Sequence, residues 1–286
     1  DPVLTDPDAN HVRKALEKLD FLVVQDIFLS ETAKLADIVL PAACYAEKEG
    51  TFTNTERRVQ LVRKAVEAPG EARPDWEIIC DVAKGLGAGG FDYKDAEEIF
   101  KEIAATTPSY RGMTFARLDK NGLQWPCPTE DHPGTQYLHK GTFPKGKALM
   151  KAIEYKVPAE AVDEEYPILL STGRMLYHYN ITSRFSEKLD AIKPYELAEI
   201  NPADAEKLGL KEEDFVRVTS RRGSIVTRVT ITNKVKPGMM SMTFHYRESP
   251  ANELTNSAFD PVTKTGEYKV SAVKVEKVKD MQGTAV

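Results

Sequence analysis

No apolar run in this sequence approaches the roughly 20 residues that cross a bilayer. The first residues, Asp-Pro-Val-Leu-Thr-Asp-Pro-Asp, have neither the basic start nor the apolar stretch of a signal peptide. Cysteine is scarce. Cys44, Cys80 and Cys127 are odd in number, far apart and in no C-x-x-C pair, which argues against a disulfide framework and against a zinc or iron-sulfur site within these residues. They read as reduced, mostly buried thiols of a cytoplasmic protein. An excess of positive charge is missing as well: the formal net charge is -5, which argues against a broad nucleic-acid-binding face. Arg221, Arg222 and Arg228 form only a local cluster of the kind surface hairpins carry. There is no internal repeat, no low-complexity tract and no initiating methionine, and a start inside a polar, loop-like stretch points to a fragment or processed piece of something longer.

What is present is enough for two domains. The chain has 286 residues, 41% of them hydrophobic and 29% charged, the balance of a globular protein able to build real cores. Val12, Ala15, Leu16 and Leu19 share one face of a helix predicted over 11–20, and the apolar run 21–25 that follows has strand length. Asp26 ends that strand, Ser30 is placed to cap a short helix over 30–36, and 37–41 is a second apolar strand. A compact β-α-β unit results, whose ligands lie beyond the carboxyl ends of its strands, where Asp26 and Ser30 fall.

Residues 47–62 read as a hairpin or extended loop. Pro74 opens a helix with Trp76, Ile79, Ala83 and Leu86 at helical spacing and Gly87 as its stop. Asp75, in the first turn, serves either the helix dipole or a ligand that donates hydrogen bonds there. A further helix spans about 95–105, and 122–140 carries too much proline for regular structure. The acidic stretch 157–165 reads as an exposed linker and sets the domain boundary, giving domains 1–157 and 158–286.

The second domain is mostly β. The apolar strand from Tyr166 runs into a polar elbow, delivering Thr172, Gly173, Arg174 and His178 to one place, a common way to fix donors against an anion. Asn201-Pro-Ala-Asp204 starts a two-turn helix that Gly209 ends, 215–219 and 224–231 alternate as a hairpin across Arg221-Arg-Gly223, and further strands fall at 238–243 and 270–278. A small barrel with one or two helices is the natural closure.

Several stretches are similar to a known family in chain order: Leu22-Val-Val-Gln-Asp-Ile-Phe28, Thr32-Ala33, Ala36-Asp-Ile-Val-Leu-Pro-Ala42, then Glu47, Glu49-Gly-Thr-Phe-Thr-Asn54 and Arg57. They resemble the third domain of the molybdenum or tungsten bis-pterin oxidoreductases. Leu170-Ser-Thr-Gly-Arg174 with His178, Ser220-Arg-Arg-Gly223, Asn252-Glu-Leu-Thr255 and Asp260-Pro-Val-Thr-Lys-Thr-Gly-Glu-Tyr-Lys269 resemble that family's C-terminal pterin-dinucleotide-binding barrel. Within the family, Gly122-Leu-Gln-Trp-Pro-Cys-Pro and His132-Pro-Gly-Thr135 look most like the catalytic alpha subunit of cytoplasmic formate dehydrogenases. Nitrate reductases and the large subunit of NADH:quinone oxidoreductase share much of the rest.

The resemblance implies an α/β plus β fold: the C-terminal part of a Rossmann-like domain, then a double-psi-type β-barrel. It also implies a bis-molybdopterin guanine dinucleotide with Mo or W, and formate oxidised to CO2 with electrons leaving through iron-sulfur clusters. Asp26 and Ser30 match positions at the nucleotide end of one pterin, and Asp75 matches a guanine-facing carboxylate. Arg174 and His178 fall where the family contacts diphosphate and pterin. Asn252, Tyr268 and Lys269 close over the pterin, and Phe244 is a stacking candidate. The family's metal-binding cysteine or selenocysteine and its 4Fe-4S cysteines are not in this stretch, so no catalytic or metal ligand is assigned. The partners implied are the N-terminal part of the same subunit and iron-sulfur electron-transfer subunits. A docking module that keeps the fold without catalysis is the reading from another class.

Overall fold

The computed structural model describes residues 1–278. Where linker composition puts one boundary at 157/158, the chain here crosses between two compact units more than once. One unit is Val23–Ile27 with Ile38–Glu154; the other is Asp1–Leu22, Phe28–Asp37 and Tyr155 onward.

The first, α/β unit begins with two parallel strands, β1 (Val23–Asp26) and β2 (Ile38–Pro41), with Val23 opposite Ile38 and Asp26 opposite Pro41. A hairpin of β3 (Gly50–Thr53) and β4 (Arg58–Val62) is extended by the short β5 (Leu123–Gln124). Asn54 shapes the hairpin turn, its Oδ1 accepting from the backbone N–H groups of Glu56 and Arg58, while Arg57 takes φ 68.

The proline-rich stretch is irregular but held. Arg57 donates to the carbonyls of Trp125, Thr135 and Gln136, and Arg117 to those of Gly112 and His132. These charged donors replace the ladder bonds that proline cannot make. Val59, Phe100, Met113, Phe115, Leu118 and Cys127 form the core beneath.

Two helices flank it. Ala96–Thr106 starts at an Asp95 cap, whose side chain accepts from the Glu98 N–H at 2.8 Å. Asp75–Gly85 follows Pro74, but its buried residues are Ile78 and Cys80, while Ile79 and Leu86 of the face anticipated from helical spacing are 54% and 83% exposed. This helix is apolar on more than one side, and spacing alone does not say which side a neighbour covers.

In the second unit, the helix anticipated over 30–36 shrinks to a single 3-10 turn, Ala33–Leu35. So few residues cannot offset the cost of nucleating an α-helix. The helix Ala9–Leu16 starts two residues ahead of the range 11–20 read from the spacing and stops short of Leu19, which is 51% exposed. Six strands then close a barrel: β6 (Ile168–Gly173), β7 (Leu197–Ile200), β8 (Phe215–Thr219), β9 (Ser224–Ile231), β10 (Met239–Thr243) and β11 (Ser271–Lys277). Their order around the barrel is β10-β6-β11-β8-β9-β7.

Two neighbouring pairs, β6 with β10 and β7 with β9, are parallel, and the rest are antiparallel. Alternate residues point inward, so Leu170, Ala198, Ile200, Val216, Val218, Val229, Met240 and Val273 are wholly buried. Asn201 caps the helix Pro202–Lys207 through the Ala203 N–H at 3.0 Å, and Gly209, at φ 64, ends it. The chain is thus a mixed α/β protein with a closed six-stranded barrel.

Candidate functional site

The parallel pairing of β6 and β10 builds the site. Because both strands run the same way in register, with Thr243 beside Gly173, the residues that leave them emerge side by side. Arg174 follows β6 and Phe244 follows β10, and the guanidinium carbon stands 5.4 Å from the Phe244 ring centroid, a cation–π contact. The antiparallel β11 brings its leading residues to the same end. Thr172 Oγ1 donates to the Tyr268 carbonyl at 2.8 Å, and Lys269 Nζ donates to the Thr172 carbonyl. Thr5, Thr172, Arg174, Asn180, Phe244, Asn252, Tyr268 and Lys269 line a cavity of about 430 Å³.

Asn252 shows what that cavity is fitted to hold. It is 1% exposed, and its Nδ2 donates to the carbonyls of Leu4 at 2.8 Å and Thr5 at 3.2 Å. Two carbonyl partners fix the amide orientation, since only the nitrogen can serve them. Oδ1 is then a buried acceptor with no partner among the described residues, which a ligand N–H would satisfy. Two cations, a phenol, an aromatic face and this acceptor suit a heterocycle with ring N–H groups joined to phosphates. Asn252→Ala removes two buried hydrogen bonds to the N-terminal segment and is expected to lower stability by about 1–3 kcal/mol, read as a lower urea midpoint.

The other predicted residues are placed as follows. His178 is buried behind the elbow and does not line the cavity: Nδ1 pairs with Ser183 Oγ at 3.0 Å and Nε2 with the Lys193 carbonyl at 2.9 Å. With both nitrogens engaged, it orders residues 178–193. Ser30, also buried, accepts from the Ala33 N–H at 3.3 Å in the turn that replaces the short helix. Asp26 ends β1, its carbonyl accepting from the Ala42 N–H at 3.0 Å.

Asp75, in the α/β unit, accepts from Gln25 Nε2 at 2.7 Å and pairs with Lys48. Partial burial pushes its carboxyl up, but the hydrogen bonds from Lys48 and Gln25 outweigh it and hold it below the usual range. The carboxylate borders a groove of about 290 Å³ that also presents Phe52 and Trp76, an acceptor beside flat apolar surface.

Three contributors are absent from the residues singled out by sequence. Asn180 accepts from Arg174 Nε at 3.2 Å, and His245 backs the elbow. Glu196 is 3% exposed and accepts from the Thr243 N–H at 3.1 Å, with its second oxygen on the Thr243 hydroxyl. Burial pushes its carboxyl up to about 7, a neighbouring Glu199 adds to this, and the Thr243 contacts and Lys193 oppose it. A left-handed Asn180, at φ 49, is a residue type that tolerates that conformation. Nothing local marks the other two.

Residues 1–85 match the family described as Molybdopterin oxidoreductase, and residues 168–272 the Molydopterin dinucleotide binding domain. The second match covers the strands and elbow that form the cavity. The chain belongs to the molybdopterin oxidoreductase family. Among its relatives, F420-dependent formate dehydrogenase 2 subunit alpha of Methanococcus maripaludis is 52% identical over 97% of this chain and 42% of its own length.

The assimilatory nitrate reductase catalytic subunit of Bacillus subtilis is 39% identical over 96% of this chain and 40% of its own. The chain spans about two fifths of the length of these curated relatives. Among solved structures, acetylene hydratase from Pelobacter acetylenicus superposes with a TM-score of 0.71 at 18% identity, over 96% of this chain and 43% of that one, a likeness of fold. The cofactor class of this family domain is the bis-molybdopterin guanine dinucleotide with Mo or W, and the donor set of the barrel cavity fits it. No described helix is long and apolar enough to cross a membrane.

Proposed function

We propose that the chain is the C-terminal, cofactor-holding portion of a cytoplasmic formate dehydrogenase catalytic subunit. The observation that carries this reading is the 50–52% identity to three formate dehydrogenase alpha subunits along nearly the whole chain, against 39% to the nitrate reductase subunit. When bound, the cofactor would supply the two-electron redox chemistry of formate oxidation, with iron-sulfur clusters as the electron acceptors.

This chain's residues hold and orient the organic part. Arg174 and Lys269 meet diphosphate charge from the barrel, Asn252 Oδ1 accepts a pterin N–H, and Phe244 and Tyr268 flank the ring system. In the α/β unit, Asp75, kept ionised by Lys48 and Gln25, accepts guanine N–H groups, with Asp26 at the nucleotide end. Ser30 keeps that same role, while His178 acts through the elbow it orders. The parallel β1–β2 pair is consistent with part of a Rossmann-like domain, and the two parallel pairs within a closed six-stranded barrel with the double-psi type. The partners are the N-terminal part of the same subunit and iron-sulfur electron-transfer subunits.

The pterin contacts serve a cofactor shared across the family, so an assay decides the substrate. The intact complex is expected to reduce a viologen dye with formate and to show no nitrate-dependent oxidation of the reduced dye. Nitrate activity without formate activity overturns the assignment.

A further inference from the structure

His245 lies directly behind the cavity wall, one residue after Phe244, and is 1% exposed. Its two ring nitrogens grip both ends of the elbow that carries Arg174. The Met175 backbone N–H donates to Nε2 at 3.3 Å, and Nδ1 lies 2.5 Å from the Asn180 carbonyl oxygen. A carbonyl only accepts, so Nδ1 bears the proton and Nε2 is the bare acceptor. Asn180 in turn takes the Arg174 Nε–H on its side-chain oxygen at 3.2 Å. Arg174, Met175, Asn180 and Phe244 are thereby fixed around one neutral imidazole, and three of the four line the cavity.

We propose that His245 is the positioning residue of the pterin-dinucleotide pocket: its neutral Nδ1–H tautomer latches the elbow that aims Arg174, and a second proton on the ring unlatches it and loosens the cofactor. The inference rests on the reading of this cavity as a pterin-dinucleotide site. Protonation would put an N–H at Nε2 against the Met175 N–H, leaving a part-buried backbone donor without its acceptor. Burial depresses the imidazole below its ordinary range, the Asn180 carbonyl opposes this, and His178, Arg174 and Arg184 add to the depression.

His178, Phe244 and Tyr246 contact the ring. Across the small cavity beside it stand Asp1, Glu31, Arg184, Asp190, Arg247 and Glu248. Because the folded value is the lower one, the latch is complete above the ordinary imidazole range and is lost as pH falls below it.

The test follows free pterin by its fluorescence as it leaves the native full-length holoprotein between pH 8 and pH 5. Wild type is expected to release it faster as pH drops below about 6.5. In His245→Gln the amide oxygen can take the Met175 N–H and does not titrate, so release should stay within a few-fold of the wild-type pH 8 rate at every pH. In His245→Ala it should be about tenfold faster or more throughout, the loss of a charged contact's geometry. The same pH-dependent release from wild type and His245→Gln overturns the proposal, whether or not the alanine variant folds. Wild-type holoprotein that yields no pterin even on denaturation overturns instead the cofactor reading beneath it.

Discussion

Arg174→Ala, made in the full-length subunit, is expected to lower molybdenum or tungsten content and the associated pterin about tenfold or more. The guanidinium is the cation that the β6–β10 pairing brings to the cavity mouth, braced over Phe244 and by Asn180. A hydrogen bond to a charged group contributes roughly 1.5–3 kcal/mol, which is one to two decades in cofactor affinity. Since Arg174 is paired with no carboxylate among the described residues, its removal leaves no buried counter-charge behind. The loss should therefore appear in metal and pterin content more than in folding. Elemental analysis of purified wild type and variant checks this, and equal metal content in both would sink the assignment of Arg174 to diphosphate.

Glu196→Gln should have its largest effect on stability, and in the favourable direction. The wild-type carboxyl is raised to about 7 by burial, so the stability it lends is whole below the ordinary carboxyl range. That contribution drains away as pH rises from about 4.5 to 7, and above 7 the buried group must ionise at a cost of about 3 kcal/mol. Glutamine keeps both contacts to Thr243, its oxygen accepting the N–H and its nitrogen donating to the hydroxyl, without the charge. Urea midpoints measured at pH 5 and pH 8 should show the variant more stable than wild type at pH 8 and the gap closing at pH 5. Matching midpoints at both pH values would contradict the account of Glu196 as a buried acid.

Local pattern carries much of the barrel. The apolar run that opens Ile168–Gly173, the alternation in Ser224–Ile231, and the Asn201-Pro cap with Gly209 as stop are physical signals contained in a few residues, and the elements form where those signals fall. The elbow is legible for the same reason, an apolar strand ending in Gly-Arg. What stayed hidden is non-local. The parallel register that sets Phe244 beside Arg174 joins residues some seventy apart, and no spacing rule encodes it.

His245 and Glu196 sit in runs with no motif of their own, and their importance comes from the partners the fold brings to them. Helical spacing around Asp75–Gly85 shows an apolar helix without saying that Ile78 and Cys80 are the side covered in this unit. The resemblance names Arg174, Phe244, Asn252, Tyr268 and Lys269 together, whereas the orphaned Asn252 oxygen shows only in the fold.

The central claim is that the barrel cavity is built for a pterin guanine dinucleotide. Acid denaturation of the purified full-length holoprotein, followed by fluorescence and nucleotide analysis of the supernatant, tests it most directly. The account predicts oxidised pterin and guanine nucleotide released in equal amounts, in fixed proportion to molybdenum or tungsten. A metal-replete or fully folded protein that releases neither would contradict it.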